Sequence, residues 1–544
     1  MNTDTGSGER AGPRFPRGAQ LVILAALSWL AFELRRMLAI DGVLDTDVMN
    51  FGLAGIRFDV LAHQPHPPGY PGYVLLISLL HALAPGLDPI SLAVWATRVT
   101  GVALIPATWW ACRQVLASAG AEPDSDSRPL VAAALAVFHP LLWYYGGDGQ
   151  SHSAEALLVV LLFGAGVAVR RRAAAAPAGR MSVLLLVAAF GLAGSVRPTI
   201  SLLSSPVLVW VFWGRPWRDW LLAAAVGVAA VAAWYAPLIA YSGGWDLYTR
   251  ASRALVGELF VANFSVLGER STLSSVLFNL SLTGVSAALA LVPLLALARP
   301  RGQAWLRPAT AVMAVNVGFY ALVFLSESGY LTAVAALACL VPATWPKSAP
   351  AQVKLRAAAV VAASLGFVAL APGGLPMWGT PVFLPSYAHV REVEDIQRLY
   401  RDVVCSANAG EPALVVSNNP TTINLRWIPL TCPDLTSGLY LGDNPLRRVD
   451  AWMVFTHDHM VAVPGPVPHE PGPPAEYTTP PAARIIAAPD SSEAFIEALE
   501  RAQRCPPERH ASPLVGDILT VTVWSRACLP RLGIGANVID IPPP

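Results

Sequence analysis

Long apolar runs separated by short polar or basic connectors dominate the first two-thirds of the chain. Runs of roughly 17–25 such residues are long enough to cross a bilayer as helices. The first starts at about Leu21, behind a basic stretch holding Arg10, Arg14 and Arg17. No small-residue cleavage site follows, so the run reads as a signal anchor that stays in place. Further helices are predicted over about Ile90–Leu116, Leu130–Tyr145 and Ala154–Val169. Two short ones meet at Arg197-Pro198, and a seventh ends near Tyr241. An eighth leads to a basic connector at Arg299–Arg307, a ninth and tenth meet at Ser326–Tyr330, and an eleventh emerges near Pro372.

Charge orients this pattern. Basic connectors face the cytoplasm, which places the N-terminus, Arg170-Arg171-Arg172 with Arg180, Arg215–Arg218, and Lys347–Arg356 inside. These signs agree only if Tyr73–Ala84, a dozen residues before Pro85-Gly86, does not cross. It is read as an amphipathic helix on the outer surface. Glu33, Arg35 and Arg36 run against the trend at the outer end of the first helix, where they would snorkel to headgroups or meet a lipid phosphate.

The pattern changes beyond the eleventh helix. Ile396–Ala407 and Ser492–Arg504 read as helices, and Ala413–Ser417, Ala451–Thr456 and Ile518–Trp524 as strands. Pro464–Pro481 is Pro-rich and reads as an extended loop. The predicted fold class is therefore a polytopic α-helical membrane protein of about eleven transmembrane helices with a small C-terminal extracytoplasmic α/β domain. Residues 1–18 form a cytoplasmic tail, 19–372 the transmembrane domain with a first extracytoplasmic loop at 41–89, and 373–544 the C-terminal domain.

Composition supports the membrane reading: 54% of the 544 residues are hydrophobic and 13% charged, with a mean hydropathy of +0.49. A soluble domain is nearer a quarter charged. The net charge of +1 gives no reason to expect nucleic acid. Cys112 and Cys339 fall in apolar runs and read as packed hydrophobes. Cys405, Cys432, Cys505 and Cys528 fall in the polar C-terminal region without CxxC spacing, which favours two disulfides, in any of three connectivities, over zinc.

Ionisable residues at outer helix ends are functional candidates by default. Asp45 and Asp47 leave the first helix together, and a carboxylate there could serve as general base. Capping the next helix would occupy only one of them. His63, His66 and Tyr70 line a rigid Pro-rich turn and could bind sugar hydroxyls or phosphate. No i, i+4 ligand pair specifies a metal, and divalent metal use is left open. Asp148, Gln150, His152 and Glu155 cluster where the third and fourth helices meet, around glycines that suggest a tight turn. Arg197 is a lone cation at an outer turn, suited to a phosphate. Arg250, Arg253, Glu258, Glu269 and Arg270 read more simply as a solvated surface helix.

Asp47-Val48-Met49-Asn50-Phe51 followed by His66-Pro67-Pro68-Gly69-Tyr70-Pro71 resembles a motif pair of the GT-C integral-membrane glycosyltransferases. The protein O-mannosyltransferase-like and bacterial lipid-linked sugar transferase branch is the nearest in appearance. That resemblance implies Asp47 as catalytic base with Asp45 as runner-up, Asp148 as a second acidic residue positioning substrate, and Arg197 near the donor phosphate. Ser328-Gly329-Tyr330, behind Glu327, resembles a segment that opens a late helix in related sequences. The implied reaction moves a sugar from a polyprenyl-phosphate donor to an acceptor glycan, lipid or protein on the outer face of the plasma membrane, with inversion. Its rivals are a transporter or lipid-sugar flippase, which would show internal repeats and broken midplane helices, and a non-catalytic envelope-assembly protein.

Overall fold

The computed structural model describes residues 16–40, 42–60, 63–122, 126–175, 180–298, 304–325, 327–346, 351–378, 380–405, 413–417, 424–432, 435–440, 451–455, 460–464, 484–487, 508–513, 518–525, 532–534 and 537–539. Its helices are α1 (Arg17–Arg36), α2 (Thr46–Ile56), α3 (Pro71–Leu83), α4 (Pro89–Ser118), α5 (Arg128–Phe138), α6 (Pro140–Tyr144), α7 (His152–Ala175), α8 (Arg180–Ala193), α9 (Pro198–Leu203) and α10 (Ser205–Phe212). They continue with α11 (Trp217–Tyr241), α12 (Trp245–Ser252), α13 (Ala262–Phe264), α14 (Leu273–Leu291), α15 (Leu306–Leu322), α16 (Thr332–Ala338), α17 (Ala351–Leu370), α18 (Tyr387–Tyr400) and α19 (Asn424–Thr431).

Among the described residues six helices are long and apolar enough to cross a membrane: Arg17–Arg36, Pro89–Ser118, His152–Arg172, Trp217–Tyr241, Leu273–Ala296 and Ala351–Leu370. Shorter apolar helices fill most of the remaining predicted places. The predicted span Leu130–Tyr145 is two helices, because Pro140 has no N–H to continue α5 and His139 turns extended to cap α6. The segment from α7 counted among the spans is the most enclosed, with 78% of its apolar window buried, against 17% for α1 and α11. Trp29, Leu83, Val228 and Leu370 stay exposed, the apolar surface a bilayer would cover.

Arg36 pairs with Glu33 at 2.8 Å on the surface. Arg35, expected to snorkel, is instead fully buried and donates to the carbonyls of Ala31 (3.0 Å) and Leu142 (2.8 Å). Gly101 and Gly146 make room for it: a Cβ on Gly146 would stand 2.2 Å from Arg35 Nε. Packing, not lipid, takes this guanidinium.

Beyond α17 come β1 (Gly374–Met377) and β2 (Thr380–Phe383), an antiparallel pair. A mixed seven-stranded sheet follows, built from β3 (Ala413–Ser417), β4 (Leu435–Tyr440), β5 (Ala451–Phe455), β6 (Met460–Pro464), β7 (Arg484–Ala487), β8 (Glu508–Pro513) and β9 (Ile518–Ser525). Its order is β6-β5-β4-β3-β7-β9-β8, with β3 parallel to β4 and β7 and the other pairings antiparallel. A short pair, β10 (Leu532–Ile534) with β11 (Asn537–Ile539), ends the described chain. The three predicted strands are present. The helix predicted from Ile396 begins earlier, at Tyr387, where Ser386 accepts the His389 N–H as N-cap. The predicted helix Ser492–Arg504 and all but Pro464 of the Pro-rich loop lie outside the described residues.

Two ties fasten this C-terminal region. Cys405 and Cys432 form a disulfide, one of the pairings left open by the sequence, while Cys505 and Cys528 lie outside the described residues. Cys112 and Cys339 are free and buried. The Gln397 amide of α18 brackets Val43, accepting its N–H and donating to its carbonyl, each at 2.7 Å. Gly42 permits this approach, since a Cβ there would overlap Gln397 Oε1. Residues 42–48 are thus held from the C-terminal side. We predict that Gln397→Ala destabilises this loop by about 1–3 kcal/mol for each buried backbone group left unsatisfied. Hydrogen exchange should quicken at residues 43–48; unchanged protection there would show that the bracket does not hold the loop.

Candidate functional site

The acidic pair divides its work. Asp45 is extended (φ −153°, ψ 155°) and its Oδ1 accepts the Asp47 N–H at 2.8 Å, capping α2. Asp47 stands in the first helical turn, where the helix dipole favours a negative charge, and no cap uses its carboxylate. Asp47 Oδ1 accepts from Asn50 Nδ2 at 3.2 Å and lies 3.1 Å from His66 Nδ1, a close polar contact without hydrogen-bond geometry. His66 Nε2 in turn meets the Tyr70 hydroxyl at 3.1 Å. Phe51 sets its edge against Tyr70 (5.1 Å) and Tyr73 (5.0 Å) and packs on His66 (5.8 Å). Each such aromatic contact adds about 0.5–1.5 kcal/mol beyond burial, so the Asp-x-x-x-Phe spacing positions the histidine.

The turn itself is set by backbone. Tyr70 lies in the left-handed region (φ 44°) and Pro71 opens α3. Gly69, at φ 98°, lets Leu238 of α11 approach. His63 sits at φ 54° in the bend closed by the Asp59–Gln64 bridge.

Arg197, ahead of α9, is buried and meets two groups of α7 and its N-terminus. Its NH1 lies 3.2 Å from Glu155 Oε2 and also donates to His152 Nδ1. An imidazole nitrogen that accepts leaves the other as donor, so the His152 Nε2–H points to Glu327 Oε1 at 2.7 Å. Glu327 Oε2 accepts from Gln150 Nε2 at 3.1 Å, and Glu155 Oε1 from Thr199 Oγ1 at 3.0 Å. The Arg197 guanidinium stacks over the rings of Tyr330 (4.3 Å) and Tyr70 (6.0 Å). Gly329 is required here: a Cβ would lie 2.5–2.7 Å from His152 and Tyr145.

These neighbours set the charges. Burial opposes the charge on Arg197, but the Glu155 carboxylate outweighs it and favours the cation. Burial also opposes ionisation of Asp47, whose side chain is 32% exposed, yet His66, Asn50 and the Arg197 charge hold it well below the usual carboxylate range. Asp45 moves the other way, raised first by burial and then by the Asp47 charge. Asp148 is buried and raised by burial and by Glu327; its Oδ1 accepts the Gln150 N–H at 3.0 Å and its Oδ2 has no partner among the described residues. Burial and the Asp47 charge lift Glu327 to about 7.

The structure therefore brings together Asp45, Asp47, His66, Tyr70, Asp148, His152, Glu155, Arg197, Glu327 and Tyr330. Arg250 and Arg253 are exposed, on or next to α12, which reaches the Pro-rich turn through the Tyr248 hydroxyl and the Pro68 carbonyl at 3.2 Å. Participants not singled out as site residues from the sequence include Tyr145, against His152 at 5.1 Å, and Arg98, buried within α4. An Arg nine residues past the start of an apolar helix was the available signal for the second. Among the described residues no three His, Cys, Asp or Glu side chains group as a metal site.

Residues 60–221 match the family model of the protein O-mannosyl-transferase TMEM260 N-terminal domain. The matched segment is less than a third of the chain; it contains His66–Pro71 and not Asp47–Phe51. No curated protein matches the chain. Among solved structures, ArnT from Cupriavidus metallidurans bound to undecaprenyl phosphate is 15% identical, with a TM-score of 0.44 over 60% of this chain and 59% of that one. The oligosaccharyltransferase AglB from Archaeoglobus fulgidus, in complex with an inhibitory peptide and a dolichol-phosphate, is 13% identical, with a TM-score of 0.35 over 60% of this chain and 50% of that one. This chain thus spans less than two-thirds of either protein, and overlaps this low are likenesses only.

Removing one partner of a buried ion pair leaves an uncompensated charge, which costs about 3–5 kcal/mol. We predict that loss for Glu155→Ala, read as a lower unfolding midpoint of the detergent-solubilised protein. An unchanged midpoint would mean that Arg197 does not depend on Glu155.

Proposed function

We propose that this chain is an inverting glycosyltransferase that moves a sugar from a polyprenyl-phosphate donor to an acceptor on the outer face of the plasma membrane. The observation that carries the reading is the division of the acidic pair: Asp45 is occupied as a cap, whereas Asp47 is ionised, oriented by His66 and Asn50, and close enough to Arg197 to feel its charge. The relation of residues 60–221 to O-mannosyltransferases supports it. So does the disulfide, which suits an oxidising compartment.

In this mechanism the acceptor hydroxyl hydrogen-bonds to Asp47 and attacks the anomeric carbon as the bond to the phosphate oxygen breaks. The hydroxyl acidifies as its oxygen bonds carbon, so a carboxylate of low basicity can take the proton late in the step. Negative charge grows on the departing lipid phosphate, where a preorganised cation is most effective. Arg197 would supply it, with Arg250 and Arg253 extending the positive field from the surface helix. His63, His66, Tyr70, Asp148, His152 and Tyr330 would line the sugar and phosphate. The clustering of these groups around the loops, with no repeat evident in the sequence, supports surface chemistry over transport.

Two tests follow. With a labelled polyprenyl-phosphate mannose, Asp47→Asn should lower the transfer rate by roughly 10²–10⁴-fold, the size of a general-base contribution. Asn caps helices about as well as Asp, so Asp45→Asn should retain most activity; full transfer by Asp47→Asn would end the proposal. The second test uses pH. Folding disfavours ionised Glu327, so its stabilising contribution is complete below its ordinary value of 4.5 and is lost as pH rises through about 7. Ionised Glu327 is also the better acceptor for His152, so transfer should rise with pH through about 7. Glu327→Gln should flatten that inflection, and a profile still bending near 7 would assign the step to another group.

A further inference from the structure

The proposed reaction uses Arg197 but leaves a second buried cation without a task. Arg98 of α4 is 7% exposed, its Nε has no hydrogen-bond partner among the described residues, and the charge adjoining it is another cation, Arg36. The Trp95 ring lies 5.9 Å from the guanidinium carbon. A buried guanidinium without a carboxylate is costly unless an anion comes to it.

Arg98 also stands where two spaces meet. One is an apolar groove of about 300 Å³ between α1 and α4, lined by Ser28, Phe32, Val99, Val102 and Pro106 as well as Trp95 and Arg98. Phe32 and Trp95 wall its upper end with ring centroids 5.9 Å apart. From Trp95 to Pro106 it follows α4 for about 16 Å at 1.5 Å per residue, which is about half of a hydrocarbon core roughly 30 Å thick. The other is a polar cavity of about 130 Å³, which shares Trp95 and Arg98 with the groove and reaches Val48 and Asp148. Val48 follows Asp47 in the chain, and Asp148, whose Oδ2 lacks a hydrogen-bond partner among the described residues, is one of the residues lining this cavity.

The shape is that of a chain slot one leaflet deep, headed by a cation and opening onto the acidic centre. We propose that it binds an acidic phospholipid of the outer leaflet with a hydroxyl-bearing headgroup: one acyl chain in the groove, the phosphate at Arg98, and the headgroup hydroxyl directed to Asp148 and Asp47. The lipid is thereby the acceptor, a role that rests on the transferase reading, whereas the binding itself does not. The donor carrier does not fit this assignment. A single displacement needs two substrates at the acidic centre, and Arg197 reaches that centre through Tyr70 and Tyr330, different neighbours from those of Arg98.

The test is photo-crosslinking of the full-length protein in phosphatidylcholine nanodiscs containing phosphatidylglycerol with a diazirine on one acyl chain, followed by peptide mapping. Label is expected on residues 28–32 and 95–106, reduced at least tenfold by Arg98→Gln. Val102→Phe fills the slot without touching the cation and should reduce labelling likewise, which keeps the test valid if Arg98→Gln fails to fold. Equal labelling by diazirine phosphatidylcholine would overturn the site as mere lipid contact. Displacement of the label by equimolar polyprenyl phosphate would overturn the acceptor assignment in favour of the donor. Because no sugar transfer is read, an inactive but specifically labelled protein refutes the transferase reading and leaves the lipid site standing. An active protein without specific label does the reverse.

Discussion

A guanidinium buried in a helical bundle must find hydrogen-bond acceptors or compensating charge, and the centre of this protein is arranged around that constraint. Arg197 lies beside the α7 carboxylate Glu155 and donates to His152, which fixes the imidazole tautomer and directs its remaining N–H to Glu327. Four separated stretches of sequence are thereby locked in register: the Pro-rich turn through Tyr70, the start of α7, the turn before α9, and Glu327 with Tyr330. Glycine is forced at position 329 by the same crowding. Once these groups are fixed, the Asp47 carboxylate has both a neighbouring histidine and a nearby cation.

Rigidity of the acidic loop comes from a second source. Gln397 brackets Val43 from α18, and a disulfide links Cys405, five residues past that helix, to Cys432, next after α19. The C-terminal region is thus structural support for residues 42–48 as well as a separate sheet. Sequence patterning could locate it and name strands in it, but not this function, because a Gln paired with backbone 354 positions away leaves no periodic trace.

Legibility in the sequence followed physical lines. Long apolar helices and the basic connectors were readable because hydropathy and charge act locally along the chain. The acidic pair was readable as a pair; which member was free depended on the extended backbone of Asp45, a matter of one dihedral pair. Arg35 was misread, since its sequence position suggests snorkelling while glycines 101 and 146, far away in sequence, open a buried slot for it. Arg98 went unremarked for the same reason, because its significance lies in what is missing around it. The break at His139-Pro140 was legible in principle and shows that a continuous apolar run does not guarantee a continuous helix.

The proposed function rests on one chemical event, a single displacement at an anomeric carbon with Asp47, whose carboxylate caps no helix, as the base. Stereochemistry tests that event most directly. With a mannosyl lipid phosphate of known anomeric configuration, the one-bond C1–H1 coupling of the product glycoside can be measured by nuclear magnetic resonance. Direct attack by an acceptor deprotonated at Asp47 predicts inversion. Retention would require a covalent or double-displacement route, and would contradict the role assigned to Asp47.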